Sequence, residues 1–400
     1  MDIRELGKIQ YRSHESIGTY VTSVTGVIDE SLNRYREGLG KDGYLLYSKR
    51  EVAGNRFYIF KRDEDALFLS YFPYTSEARV IEEKNSTLFS FSDEGAEDSV
   101  SASITQLDLK DFAMCYVIRL SDGRFIVIDI GSFEEDVDSL FEVLTERANG
   151  GEIRIAAWIL THPHLDHYHG VVPFMKKYGD KLTVEKFIYN FPACEDGDLE
   201  LIPELGGRFD DYHKIPELVN YLSEAGIPSY RPHTGMIFDI GGARMEILNS
   251  PDDNLNPPQH INNISIVFTI SYKGQKLFFG GDYQFYTKPF TEIWGDYIKS
   301  DIMQVTHHGF HGGTKKMIEL CDVHTYLMPS FEADVFKNIG CKYDFNYLTW
   351  VRPETRDYYT GSTGHITLSL PHTPRPDGRK VLDDLLIKYE VSEDNIVHRF

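Results

Sequence analysis

The sequence predicts an α+β protein of two units, on three observations. From Ile104 onward apolar strands alternate with amphipathic helices. Before Ile104 lie one helix and a run of short β-like segments. A histidine-rich stretch, Thr161 to Gly170, stands between a strand and a helix of the longer unit. Residues 1–98 read as a small α+β accessory domain and residues 104–400 as the larger domain, with 400 residues enough for a well-buried core.

Taken in order, the chain starts irregularly. Asp29 to Leu39 then carries Leu32, Tyr35 and Leu39 at helical spacing, with Gly40 as a stop. Four strands follow, Tyr44 to Arg50, Phe57 to Lys61, Ala66 to Tyr71 and Ala78 to Glu82, the first two joined at Gly54-Asn55. This unit holds no cluster of metal ligands and no nucleophile with a base, so scaffold, partner surface and substrate cap all remain open. Asp93 to Ser103 is acidic, serine-rich and poor in apolar residues, which predicts a linker.

In the larger unit Met114 to Leu120 and Arg124 to Ile130 read as strands joined by Ser121-Asp122-Gly123. Ser132 with Glu135 suggests a capping box for a helix whose inner face is Val137, Leu140, Phe141 and Leu144. With the apolar run Ile153 to Leu160 this makes a βαβ crossover, so the two flanking strands should be parallel neighbours. A helix over Val171 to Tyr178, a strand over Thr183 to Asn190 and an acidic insertion over Phe191 to Phe209 come next. A helix from Ile215 to Ala225 precedes two hairpins, turned at Gly241-Gly242 and Lys273-Gly274. Strand and helix then alternate through Ile302 to Thr306, Thr314 to Leu320, Thr325 to Met328 and Ile366 to Leu370, ending in a helix near Lys380 to Tyr389.

Composition narrows the function classes. A formal net charge of −21 repels polyanions, so long nucleic acid and anionic membranes are disfavoured as partners, and a small-molecule substrate is favoured. No run of about eighteen apolar residues suggests a membrane span. Met1 to Arg12 is charged without an apolar h-region, and Cys115, Cys194, Cys321 and Cys341 lie far apart, which together point to reduced thiols and a cytoplasmic location.

The chemistry gathers at His162-Pro163-His164-Leu165-Asp166-His167-Tyr168-His169. In extended backbone, residues two apart face one way, so His162 and His164 can serve one point while Asp166 and His167 turn towards a second. Four histidines and an aspartate in eight residues would leave many polar edges unsatisfied without a metal. Asp282 follows Gly280-Gly281 at the end of one apolar strand, and His307-His308 follow Thr306 at the end of another, where ligands collect in α/β sheets.

The spacing His-x-His-x-Asp-His resembles the signature of the metallo-β-lactamase superfamily. With Asp129-Ile130-Gly131, the run Asn263 to Asp282, His307-His308-Gly309 and the ending Asp357 to Thr367, the stretch from Ile104 to Leu370 is similar to the carboxyl-terminal metallo-β-lactamase domain of the competence DNA-internalisation proteins. The resemblance implies a four-layer αβ/βα sandwich behind the small α+β domain. It also implies that His162 and His164 hold one ion, that Asp166 and His167 hold a second completed by His307 or His308, and that Asp282 bridges them. Asp129 would fix the motif loop from outside. Two departures stand out: the loop from Pro251 to Ser265 offers His260, Asn262 and Asn263 where a histidine ligand is usual, with His260 the possible ligand, and His169 replaces a common glycine.

The expected function is a metal-dependent hydrolase, phosphodiesterase-like and acting on a small phosphodiester. It would use a metal-bound hydroxide at a dinuclear site, oriented by Asp166 as the catalytic residue. Nitrogen and oxygen donors suit two divalent ions, zinc first, then manganese or iron. Tyr189 to Phe191 and Tyr347 to Tyr359 are candidate pocket walls, and Arg352 or Arg356 a candidate anion clamp. Lactone, ester or amide hydrolysis of the β-lactamase kind, and a catalytically idle metal-binding module for a ligand or partner, are the alternatives. Iron-dependent redox chemistry lacks a visible flavin domain.

Overall fold

The computed structural model describes residues 2–15, 19–93, 95–110, 113–192, 212–254, 260–285, 289–310, 312–330, 357–361 and 364–390. Three sheets organise them. The first is antiparallel, in the order Lys8–Glu15, Thr19–Thr25, Glu77–Glu83, Asp65–Phe72, Asn55–Arg62 and Leu45–Val52. Its opening hairpin occupies the start that sequence reading left irregular. Lys8–Glu15 is a polar edge strand with little apolar alternation to reveal it.

Pleating divides the burial of this sheet. Leu67, Leu69 and Val80 face the helix Asp29–Lys41 and pack with its Leu32, Tyr35 and Leu39. Ala66, Phe68 and Ile81 face the opposite way and join the central core of the larger unit. Phe57 stacks on Trp294 with ring centroids 5.9 Å apart. The inner strands Glu77–Glu83 and Asp65–Phe72 of the amino-terminal sheet are therefore covered on both faces, while the edge strand Leu45–Val52 is largely exposed.

The second sheet runs in the order Ser229–Tyr230, Phe187–Ile188, Arg154–Ile159, Phe125–Ile128, Tyr116–Arg119, Ser103–Gln106 and Ile366–Ser369, with Thr183–Val184 also paired to Arg154–Ile159. Phe125–Ile128 and Arg154–Ile159 are parallel, as the βαβ reading requires. The third sheet runs Ile237–Ile240, Ala243–Asn249, Val267–Tyr272, Gln275–Phe279, Ile302–Gln304, Thr325–Met328 and Asp357–Thr360. Between the second and third sheets lie Ile118, Ile126, Ile159, Phe238, Phe268 and Phe279. Helices Glu134–Ala148, Val171–Tyr178 and Ile215–Glu224 cover the outer face of the second sheet, and Phe290–Trp294, Lys315–Cys321 and Gly378–Lys388 that of the third. This is the four-layer sandwich, with each fully buried Leu, Val or Phe contributing about 1.5–3 kcal/mol.

Two local expectations need correction. The helix after Ile130 begins at Glu134, and its first turn is held by Asp136, whose Oδ2 accepts the Phe133 amide (3.0 Å) and Oδ1 the Lys110 amide (2.8 Å). The Ser132 and Glu135 box is not what fixes it. The acidic segment after Ser92 is not a free linker, because Asp93 pairs with Arg124 (2.9 Å) and Lys186 (3.3 Å) and accepts the Gly241 amide (2.6 Å). Asp98 binds Lys273 (2.6 Å) and accepts the Ser121 hydroxyl. Acidic composition here serves fixed cationic partners rather than solvent. Cys115 and Cys321 are buried free thiols, while Cys194 and Cys341 lie outside the described residues. No helix of the described residues is long and apolar enough to cross a membrane.

Candidate metal centre

The cluster forms where strands of the two central sheets end side by side. Thr161 links them, its carbonyl accepting the Ile266 amide (2.9 Å). Asp129 closes its own strand in the left-handed region (φ 56°) and is completely buried. It accepts the Thr161 amide on Oδ1 and the Thr161 hydroxyl on Oδ2, both at 2.7 Å, and His167 Nδ1–H on Oδ2 at 2.8 Å. Gly170 permits the close turn, since a Cβ there would meet the Gly131 carbonyl oxygen at 2.4 Å.

Asp282 is brought in by Gly281, whose φ of 52° and tight packing on Ser265 and Thr161 disfavour a side chain. Gln304, fully buried, accepts the Gly280 amide on Oε1 (2.9 Å) and donates from Nε2 to the Gly281 carbonyl (3.1 Å). Sequence reasoning missed Gln304, because a single glutamine inside an apolar strand carries no spacing signal. His307 and His308 both adopt left-handed backbone (φ 50° and 52°), an uncommon pair for non-glycine residues. His308 Nδ1 faces the Pro329 carbonyl (3.2 Å), which directs Nε2 inward.

The converging atoms form two overlapping groups. His162, His167 and Asp282 offer ligand atoms all within 4.8 Å of one another, as do Asp166, His167 and His308. His162 Nε2 lies 2.9 Å from His164 Nδ1 and 3.6 Å from Asp282 Oδ2. His167 Nε2 lies 3.4 Å from Asp282 Oδ1 and 3.1 Å from His308 Nε2, and His308 Nε2 is 3.2 Å from Asp166 Oδ2. His307 Nε2 is 3.9 Å from Asp282 Oδ2. Thus both His307 and His308 reach the cluster. His260 is exposed, its ring 6.3 Å from that of His164, and its Nδ1 accepts the Asn262 amide (3.3 Å). Tyr189 and Phe191 pack on each other at 5.1 Å, with Phe191 buried against Tyr168. Arg352 and Arg356 lie outside the described residues, as does all of 331–356.

The electrostatics ask for cations. Burial opposes charge on Asp282, yet His167, His308, His307 and His162 around it hold its carboxyl well below the usual range. Burial likewise opposes a protonated His167, but Asp282, Asp166 and Asp129 raise its pKa well above the ordinary imidazole value. Burial and the neighbouring His167 push His162 down, leaving it a neutral lone-pair donor. Asp282 Oδ1 is buried without a hydrogen-bond partner, the orphaned acceptor a metal ion would satisfy. The donor set, imidazole nitrogens and carboxylate oxygens with no sulfur, fits divalent zinc, manganese or iron.

A four-layer αβ/βα sandwich with a His/Asp cluster at the strand ends defines a metallo-hydrolase type of fold. Residues 110–242 match the family model of the metallo-beta-lactamase superfamily. Among solved structures it is similar to Zn(2+)-bound PqqB from Methylobacterium extorquens, at 10% identity over 64% of this chain and 87% of that one, TM-score 0.36. It is also similar to the short form of human tRNase Z, at 11% identity over 56% and 90%, TM-score 0.33. A flavo di-iron protein variant from Thermotoga maritima aligns at 13% identity over 96% and 63%, TM-score 0.26. Likeness at these levels carries no argument about substrate. No curated protein matches the chain.

Proposed function

We propose that this chain is a metal-dependent hydrolase with a dinuclear centre, acting on a small phosphodiester. The observation that carries the reading is the pair of overlapping ligand groups sharing His167 and joined by Asp282. His162, His164 and Asp282 would hold one ion, and Asp166, His167, His308 and Asp282 the other, with zinc ahead of manganese or iron. When bound, such a pair supplies Lewis acidity towards a phosphoryl oxygen and acidifies water at neutral pH.

The side chains divide the remaining work. Asp282 and Asp129 are shielded, with side-chain exposures of 3% and 0%, whereas Asp166 is 33% exposed and can face an incoming substrate. Asp166 would therefore orient the attacking water and take its proton. Asp129 holds His167 in one orientation and tautomer. Burial of the remaining donors excludes bulk water and strengthens their field on developing charge.

The test is a metal-loaded and metal-stripped comparison on bis(p-nitrophenyl) phosphate, p-nitrophenyl phosphate, a chromogenic lactone and a chromogenic β-lactam. Metal-dependent turnover highest on the diester is the expected result. Preferential lactone or β-lactam opening would replace the substrate class, and metal binding without turnover on any compound would favour a ligand- or partner-binding module.

A further inference from the structure

We infer that Arg79 is a positioning residue of the metal centre: from the amino-terminal sheet it fixes two short turns that back the cluster, so that the unit of residues 1–98 is a working part of the site rather than an accessory. The role rests on the proposed metal-dependent hydrolysis.

Between the strands Ala243–Asn249 and Val267–Tyr272 lie the short helical turns Pro251–Asn254 and Ile261–Ile264, which pack side by side. The second turn touches the metal centre. Asn262 Nδ2 donates to His307 Nε2 (3.1 Å), and Asn263 Oδ1 accepts the amide of Gln284 (3.0 Å), two residues beyond Asp282. Just past the turn, Ser265 Oγ accepts the Asp282 amide (3.2 Å) and the Ser265 carbonyl accepts Asn249 Nδ2 (2.8 Å). Asn249, Asn262, Asn263 and Ser265 are all buried. A shift of these turns is therefore passed to the backbone of Asp282 and the ring of His307.

The first turn is held from the amino-terminal sheet. Arg79 Nε lies 2.9 Å from Asp253 Oδ1, with side chains 9% and 12% exposed, while Glu77 of its own strand stands at 3.6 Å. The guanidinium lies over the Phe72 ring, 4.8 Å from its centroid, which fixes its direction. Asp253 Oδ2 accepts the Thr234 hydroxyl, and the Thr234 carbonyl accepts Ser70 Oγ (3.4 Å) from the same sheet. The adjacent Asp252 turns the other way, onto Asn190 (3.1 Å) and His233 (2.7 Å), whose ring packs on Phe68 at 4.3 Å. Arg79, Asn249, Asp253 and Tyr283, the residue after Asp282, line one seam of about 30 Å³, so the ion pair stands directly behind the cluster. A shielded carboxylate that loses its cation turns towards water, and the turn that carries it follows.

The experiment uses the full, metal-loaded chain and bis(p-nitrophenyl) phosphate. Arg79→Gln should keep the parental metal content while kcat/KM falls by about 10- to 100-fold, most of it as a rise in KM, which a mere loss of folded protein does not give. Arg79→Lys, which keeps a cation against Asp253, should recover most of the loss, and Glu77→Gln should match the parent. Asp253→Asn leaves the amino-terminal sheet intact and should repeat the defect even if Arg79→Gln fails to fold. The double variant should be no worse than either single one, because both remove one contact. Hydrogen exchange of the Asn263 and Ser265 amides should quicken in Arg79→Gln and Asp253→Asn, a readout that needs no turnover. Parental KM and exchange in Asp253→Asn, or additive losses in the double variant, would overturn the role of Arg79 and leave the hydrolysis standing. A parent chain without turnover on the diester would overturn the hydrolysis, and the exchange rates would still decide whether Arg79 holds the turns.

Discussion

His167 Nδ1 donates to Asp129 Oδ2 across 2.8 Å, with neither side chain exposed to solvent. The same carboxylate group binds both the amide and the hydroxyl of Thr161, so one buried aspartate sets the ring and the loop together. Asp129→Asn should fold, because Asn accepts left-handed backbone, but bind metal some 10- to 100-fold more weakly. Competition with a chelator measures this, and parental affinity would show that the contact does not tune the site.

Asp166→Asn should keep the fold and most of the metal while losing turnover by about 10²- to 10⁴-fold. The side chain is the partly exposed carboxylate of the cluster, and the amide offers no proton acceptor of comparable strength. Steady-state rates on the best diester decide it, and a parental kcat would remove Asp166 from the chemistry.

Acid should detach the carboxyl-terminal helix before the sandwich opens. Burial alone would raise the Asp357 carboxyl, yet hydrogen bonds from His372, Arg375 and Tyr359 hold it well below the ordinary range. A folded value below the unfolded value of about 3.9 means that this stabilisation is complete above that pH and is lost as pH falls through the folded value. Hydrogen exchange of the amides of Gly378–Lys388 should therefore accelerate only below about pH 4. Asp357→Asn should exchange fast at neutral pH and show no acid step.

Arg124→Ala should destabilise the protein by roughly 3–5 kcal/mol, since it strips a buried cation from Asp93, Asp122 and Glu185. It should also open the segment after Ser92, which carries Glu97 and no Lys or Arg, to Glu-specific cleavage that the parent chain resists. Equal cleavage of both proteins there would mean that the strap is not held by these contacts.

The substrate should be small. Each added phosphate approaches a surface of net charge −21, and a single diester needs little beyond the metal centre. Hydrolysis of a dinucleotide diester should exceed cleavage of single-stranded or duplex DNA at both low and physiological salt. Efficient, salt-sensitive cleavage of long DNA without activity on the small diester would reverse this expectation.

What could be read from the sequence depended on whether a residue's environment lay near it in the chain. The run Ile153 to Leu160, the Gly241-Gly242 and Lys273-Gly274 turns and the spacing of His162, His164, Asp166 and His167 are local patterns, and they place the strand, the hairpins and the heart of the cluster. Asp282 and the histidine pair could be named as candidates because strand ends are legible. Their grouping was not, since it turns on the left-handed backbone of His307 and His308. Asp93 looked like linker because its partners Arg124, Lys186 and Gly241 are remote in sequence. The strand Lys8–Glu15 was hidden for a different reason: a polar edge has no apolar alternation to betray it.

The pairing of Ile366–Ser369 with Ser103–Gln106 sets a timetable for biosynthesis. At about 5–20 residues per second, the closing strand leaves the ribosome roughly 10 to 50 s after the strand it must cover. During that interval Ser103–Gln106, with Ile104 on its inner face, presents an uncapped edge to neighbouring nascent chains. The second sheet thus stays open until Ile366–Ser369 has emerged, and the yield of native protein in a cell will depend on chaperone supply as well as on elongation speed.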